Sequence, residues 1–127
     1  MIDLTLLHRQ VNPSWIQQGR VTSRAFKPTP KDKSRLSVYD GDQVTAHQAW
    51  SHYTGELGFA SIGVLAVTVS ECAKIELVAK LEPESFPAHA VIRFDTCTTI
   101  GQIEKKAKRL TTTAVERGWQ HRAETGK

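Results

Sequence analysis

Five histidines punctuate the chain: His8, His47, His52, His89 and His121. His8 and His89 each fall near the end of a segment that reads as a strand. If those strands pair, both rings line one cleft. Two imidazoles beside a cation such as Lys31 suit general acid–base cleavage of RNA, the cation stabilising the charge that develops on phosphorus oxygens. A lone strand histidine is more often a hydrogen-bonded structural residue. No GxSxG, HExxH or CxxC occurs, so no nucleophile elbow, zinc helix or dithiol motif is encoded.

The second candidate is the segment from Gly19 to Asp42. Residues 20–35 hold Arg20, Arg24, Lys27, Lys31, Lys33 and Arg35 against Asp32 alone, and Pro28 and Pro30 stiffen the middle. Arg24, Lys27 and Lys31 could hold a phosphate, with Thr29 and Ser37 as hydroxyl donors. The plain alternative is a solvated loop. Neither GxxxxGK[ST] nor GxGxxG is present, so this is no standard nucleotide fingerprint. Asp40 and Asp42 flank Gly41. Paired carboxylates can hold a hard cation, but an Asp-Gly turn needs none, and no metal or cofactor is expected. Lys105, Lys106, Lys108 and Arg109 form a second basic run, either a nucleic-acid contact or a solvated helix face. Glu76 and Lys80, four apart, suit a helical ion pair.

Those groups need elements to position them. Leu4–Val11 reads as a strand, with His8 and Leu7 on opposite faces. Asn12-Pro13-Ser14 breaks it, and a helical turn carrying Trp15 and Ile16 ends at Gly19. Arg35–Tyr39 is a short strand before the Asp40–Asp42 turn. Thr45 and Gln48 have capping-box spacing and open a helix through Tyr53. Ser61–Val69 is apolar and β-branched, a strand buried on both faces. Ser70 caps a helical turn running toward Lys80, and Ala88–Phe94 is a further strand. Thr99 and Gln102 open a last helix whose stripe is Ile103, Ala107, Leu110 and Ala114, ending at Gly118. Residues 120–127 read as a frayed tail. The expected architecture is a single α+β domain, about four strands in a mixed sheet with two or three helices.

The 127 residues carry 17 basic and 13 acidic side chains, a formal charge of +4. That balance permits an anionic partner without requiring one. Apolar content of 39% argues against disorder, and no apolar run approaches membrane-helix length. Met1–Thr5 has no basic, apolar leader, and Cys72 and Cys97 sit far apart. Both features point to a cytoplasmic protein with reduced thiols.

The blocks GRVTSRAFKPTPKDKSRLSVYDGD, TAHQAWSHYT, SIGVLAVTVSEC and FPAHAVIRF resemble a family of small bacterial proteins from about Leu7 to Trp119. That resemblance implies a shared fold and by itself no activity. A fainter one is to ADP-ribosyltransferase-like folds, including RES-type NAD-degrading toxins. It rests on Leu7-His8-Arg9, Gly19-Arg20 and Leu36-Ser37-Val38-Tyr39. It implies that His8 anchors a ribose, Tyr39 stacks on nicotinamide and Glu71 stabilises an oxocarbenium ion. The leading expectation is a small interaction module, of the kind found in toxin–antitoxin or defence operons. It would bind an acidic protein or a nucleotide through Arg20, Arg24, Lys27, Thr29, Lys31, Ser37, Asp40 and Asp42. The alternatives are an enzyme acting on NAD or RNA through His8, Tyr39, Glu71 and His89, and non-specific nucleic-acid binding by the last helix.

Overall fold

The computed structural model describes residues 1–29 and 34–123. Its strands are β1 (Leu6–Gln10), β2 (Ile16–Gln17), β3 (Arg20–Val21), β4 (Arg35–Asp40), β5 (Gly63–Thr68), β6 (Val78–Leu81), β7 (His89–Arg93) and β8 (His121–Arg122). Its α-helices are α1 (Ala46–Ser51), α2 (Val69–Ala73) and α3 (Ile100–Arg117). Six strands form one sheet in the order β6-β7-β4-β1-β5-β8, and β2 and β3 make a separate hairpin. The domain is α+β, as the residue pattern implies. The sheet is not mixed: every neighbouring pair runs antiparallel. The alternation of residue types fixes which face a side chain takes but carries no information on strand direction.

The segments expected as strands are β1, β4, β5 and β7, and these are the interior strands of the sheet. The edge strands β6 and β8 are short and largely exposed, so neither carries the apolar signature of burial. Glu76 takes a left-handed backbone with φ of 62°, which turns the chain out of α2 and into β6. Lys80 therefore lies on a strand, and the helical Glu76–Lys80 pair does not form. Nor is the segment after Trp119 wholly frayed, because β8 pairs with β5 through Val64 and His121. Residues 124–127 lie outside the described residues.

Period-2 alternation divides β1 and β4 between two faces. Leu7, Leu36 and Val38 join Leu65, Val67, Ile92 and Phe94 in the main core, under α3. The stripe expected of α3 is present: Ala107, Leu110 and Ala114 are buried and Ile103 packs against them. On the opposite face Tyr39 and Ala88 meet Ala49 of α1. The Thr45–Gln48 capping box forms in both directions. At α3 the Thr99 hydroxyl accepts from the Gln102 N–H, but the Gln102 side chain accepts from the Thr98 N–H instead of closing the box. The cap of α2 is Thr68, not Ser70, with Glu71 returning the bond. Gln18 and Gly19 both have positive φ, the two-residue turn that matches hairpin twist; Gly19 therefore closes the β2–β3 hairpin and not a helical turn.

Candidate functional site

The α1 face of the sheet collects all five histidines. Tyr39 of β4 lies opposite His8 of β1 on one side and His89 of β7 on the other. The two histidine strands do not pair with each other; β4 runs between them. Both rings nevertheless line one cavity of about 170 Å³, with Gln10 and Tyr39 among its lining and the exposed Ser37 at its edge. Tyr53, Leu57, Phe59 and Phe86 complete its walls.

The wall is built by an irregular stretch. After α1 the helix widens into a π-turn, His52–Glu56, a distortion that is frequent at functional sites. The turn brings His52 Nδ1 to 2.7 Å from the Tyr39 hydroxyl and its Nε2 to 3.8 Å from Glu56. A carboxylate only accepts, so Nε2 carries the proton and the Tyr39 hydroxyl donates to Nδ1. Burial, with Tyr53 and Glu56 adding to it, pushes the Tyr39 phenol well above its ordinary range, so it remains a donor. Phe86 stands 5.1 Å from the Tyr39 ring, 4.6 Å from His52 and 5.1 Å from His89. Tyr53 and Phe59 pack at 5.2 Å across the rim.

Two residues that line this cavity carry buried atoms without partners. His8 is 4% exposed and Gln10 is 5% exposed, and neither His8 Nδ1 nor Gln10 Nε2 has a hydrogen-bond partner among the described residues. Burial pushes the His8 ring below its ordinary value of 6.5, against opposing effects from a Val44 backbone bond and the Asp40 carboxylate. A backbone bond that favours the charged ring runs from a ring N–H to a carbonyl. Nε2 is therefore the donor and Nδ1 a bare acceptor. Gln10 Oε1 lies 2.7 Å from the Ser61 hydroxyl, whose single proton is shared with the Gly63 carbonyl at 2.9 Å, and in this arrangement the Gln10 Nε2 donor is left over.

The remaining expected residues are dispersed. Glu71 accepts from both Arg117 nitrogens at 2.9 and 2.7 Å, tying it to α3 on the far side of the sheet. Burial would raise its carboxyl, but Arg117 and the Thr68 N–H outweigh that and hold it low. It does not join His8 and Tyr39. Asp40 accepts from the Asp42 N–H and from Gln43, and Asp42 accepts from Thr5, so both carboxylates hold their turn. Among the described residues no cluster suits a metal ion.

Lys27 reaches Glu104 of α3 at 3.6 Å, Arg24 is exposed, and Arg20 borders a groove beside Trp119. Thr29 is exposed as well, and Lys31 lies outside the described residues. Lys27 and Arg20 therefore lie beside α3, while Ser37 belongs to the histidine cavity. Lys105, Lys106 and Arg109 meet Lys74 along one groove, a local positive field of the kind that attracts polyanions; Lys108 does not line it. No described helix is long and apolar enough to cross a membrane.

Sequence reasoning missed Gln10, His52, Phe86 and the π-turn. Gln10 was within reach, since it stands two residues from His8 on a strand and must share its face. Nothing local marks Phe86 or the widened turn. Comparison with protein-family models, with curated proteins and with solved structures finds no match to this chain.

Proposed function

We propose that the chain is a small binding module whose site is the cavity between the sheet and the π-turn, and that its ligand is a planar ring carrying a carbonyl or carboxamide. One observation carries this reading: His8 and Gln10, two buried residues that line the same cavity, each keep a side-chain nitrogen, Nδ1 and Nε2, with no partner among the described residues. Leaving buried polar atoms unpaired costs roughly 1–3 kcal/mol each, so such a pair is worth keeping where a ligand uses it. An acceptor and a donor two residues apart on one strand face suit a ligand that carries both a donor and an acceptor, as a carboxamide or a pyrimidine base does. Aromatic walls suit a flat ring. A cavity of about 150 Å³ is enough for one benzene-sized ring, so 170 Å³ takes one ring and not a dinucleotide. If that ring belongs to a nucleotide, its sugar and phosphate must leave through the mouth beside Phe59, which is 56% exposed.

The test is titration with benzamide, nicotinamide and uracil, followed by NMR of the histidine rings and by melting temperature, since a ligand of the native state raises it. The expected result is a shift of the His8 resonances with at least one of the three. Gln10→Met, which keeps length and loses the donor, should weaken that binding about tenfold, the equivalent of one buried hydrogen bond. No response from His8 at the solubility limit of all three would end the reading.

A further inference from the structure

The mouth of the same cavity carries a second arrangement. On the exposed side of β4, Ser37 Oγ lies 3.2 Å from His89 Nε2. His89 Nδ1 lies 3.0 Å from the carbonyl oxygen of Glu82. A carbonyl only accepts, so Nδ1 carries the proton and the neutral ring presents Nε2 as acceptor to the Ser37 hydroxyl. The Glu82 carbonyl is itself fixed, because β6 and β7 pair as a hairpin and the Glu82 N–H donates to the His89 carbonyl at 2.9 Å. A hydroxyl, a base within reach and a third group that orients the base are the parts of an activated nucleophile. Phe86 packs against the His89 ring at 5.1 Å, which restricts its rotation.

The pairing of His8 with Tyr39, followed two residues along each strand, brings Gln10 toward Ser37, and both line the cavity. Gln10 is thus a buried amide on the same sheet face as Ser37, lining the hollow that Ser37 opens into. A donor is needed there, because attack on a carbonyl places negative charge on its oxygen.

We infer that Ser37 is an acyl-accepting nucleophile, activated by His89 and the Glu82 carbonyl, for small esters of an aromatic or heteroaromatic acid. The inference rests on the cavity as a ligand site. Ser37 Oγ bonds to the ester carbonyl carbon while its proton passes to His89 Nε2. The carbonyl π-pair moves to the oxygen facing Gln10. Collapse of that adduct breaks the bond to the leaving alcohol, which departs with the proton from His89 and leaves acyl-Ser37. Water then adds with His89 as base, and Ser37 and the free acid are released.

The experiment treats the full chain with a fluorophosphonate probe and with 4-nitrophenyl benzoate. Intact mass and peptide mapping locate the adduct, and 4-nitrophenolate release reports turnover. One adduct on Ser37 is expected, together with a loss of about 100-fold or more in labelling rate and turnover in His89→Gln, the usual contribution of a positioned base. Ser37 is exposed, so Ser37→Ala should fold unchanged by circular dichroism and lose the adduct. An unlabelled Ser37, or labelling equally fast in His89→Gln, overturns the inference. Benzamide titration of the same sample separates the two readings. A His8 response without Ser37 labelling leaves the binding module standing and removes the chemistry; no response to either removes both.

Discussion

Gly41 shows how tightly single residues set the cavity. A Cβ at this position would press on the Leu6 carbonyl and stand 3.1 Å from His8 Nε2. The first contact is backbone and cannot yield cheaply, and the second is the ring atom that fixes the His8 tautomer. Gly41→Ala should therefore destabilise the fold by about 1–3 kcal/mol, as overpacking of a filled site does. Urea unfolding checks the magnitude, and the His8 ring resonances should move in the folded fraction; an unchanged midpoint and spectrum would contradict the packing described. The presence of His8, Tyr39 and His89 on strands was readable from residue types. Their meeting was not, because it depends on β4 lying between β1 and β7, which no local pattern encodes. Glu71 fails as a partner for an equally physical reason. It reads as a free acid after an apolar strand, yet a cap and Arg117 hold both of its oxygens.

At the level of elements, the interior strands were legible because burial selects their side chains, and the edges were not. The β8 edge rests on Gly63, where a Cβ would stand 2.6 Å from the His121 carbonyl and 3.0 Å from the Trp119 ring. Gly63→Ala should push β8 off β5 while leaving the interior strands paired. Hydrogen exchange reads this directly. The Gln120 N–H, which donates to the Val64 carbonyl at 2.9 Å, should lose protection by tenfold or more, whereas amides of β1 and β4 should keep theirs. Equal loss throughout would mean that β8 is an integral part of one cooperative unit. The capping boxes at Thr45 and Thr68 were partly visible as spacing. The first was placed correctly, and the second was displaced by two residues because Ser70 and Thr68 carry the same chemistry.

For the whole molecule, acid should act in two stages. His8 and His121 both have pKa values lowered from 6.5, mainly by burial, with His47 adding to the effect at His121. The unfolded chain therefore binds protons more readily than the native one at these sites. Their contribution to stability is complete above about 6.5 and is lost as the pH falls from there through the lower native values. Glu71, lowered from 4.5, adds a second loss that begins only below that value. Urea midpoints measured from pH 8 to pH 3 should fall first below about 6.5 and again below about 4.5. His121→Phe should flatten the first step; a first step of undiminished size in that variant would exclude His121 as a source.

The strand order has a kinetic corollary. In the main sheet only β6 and β7 are joined by a short hairpin connection; β1 must find β4 across the whole basic segment, and β5 from beyond the π-turn. Each of those closures gives up chain entropy before any ladder bond rewards it. Chains dominated by such distant pairings fold in milliseconds to seconds, not microseconds. His8, on β1, sits between both neighbours, so the cavity needs β1, β4 and β7, which are far apart in the chain, to be in place together.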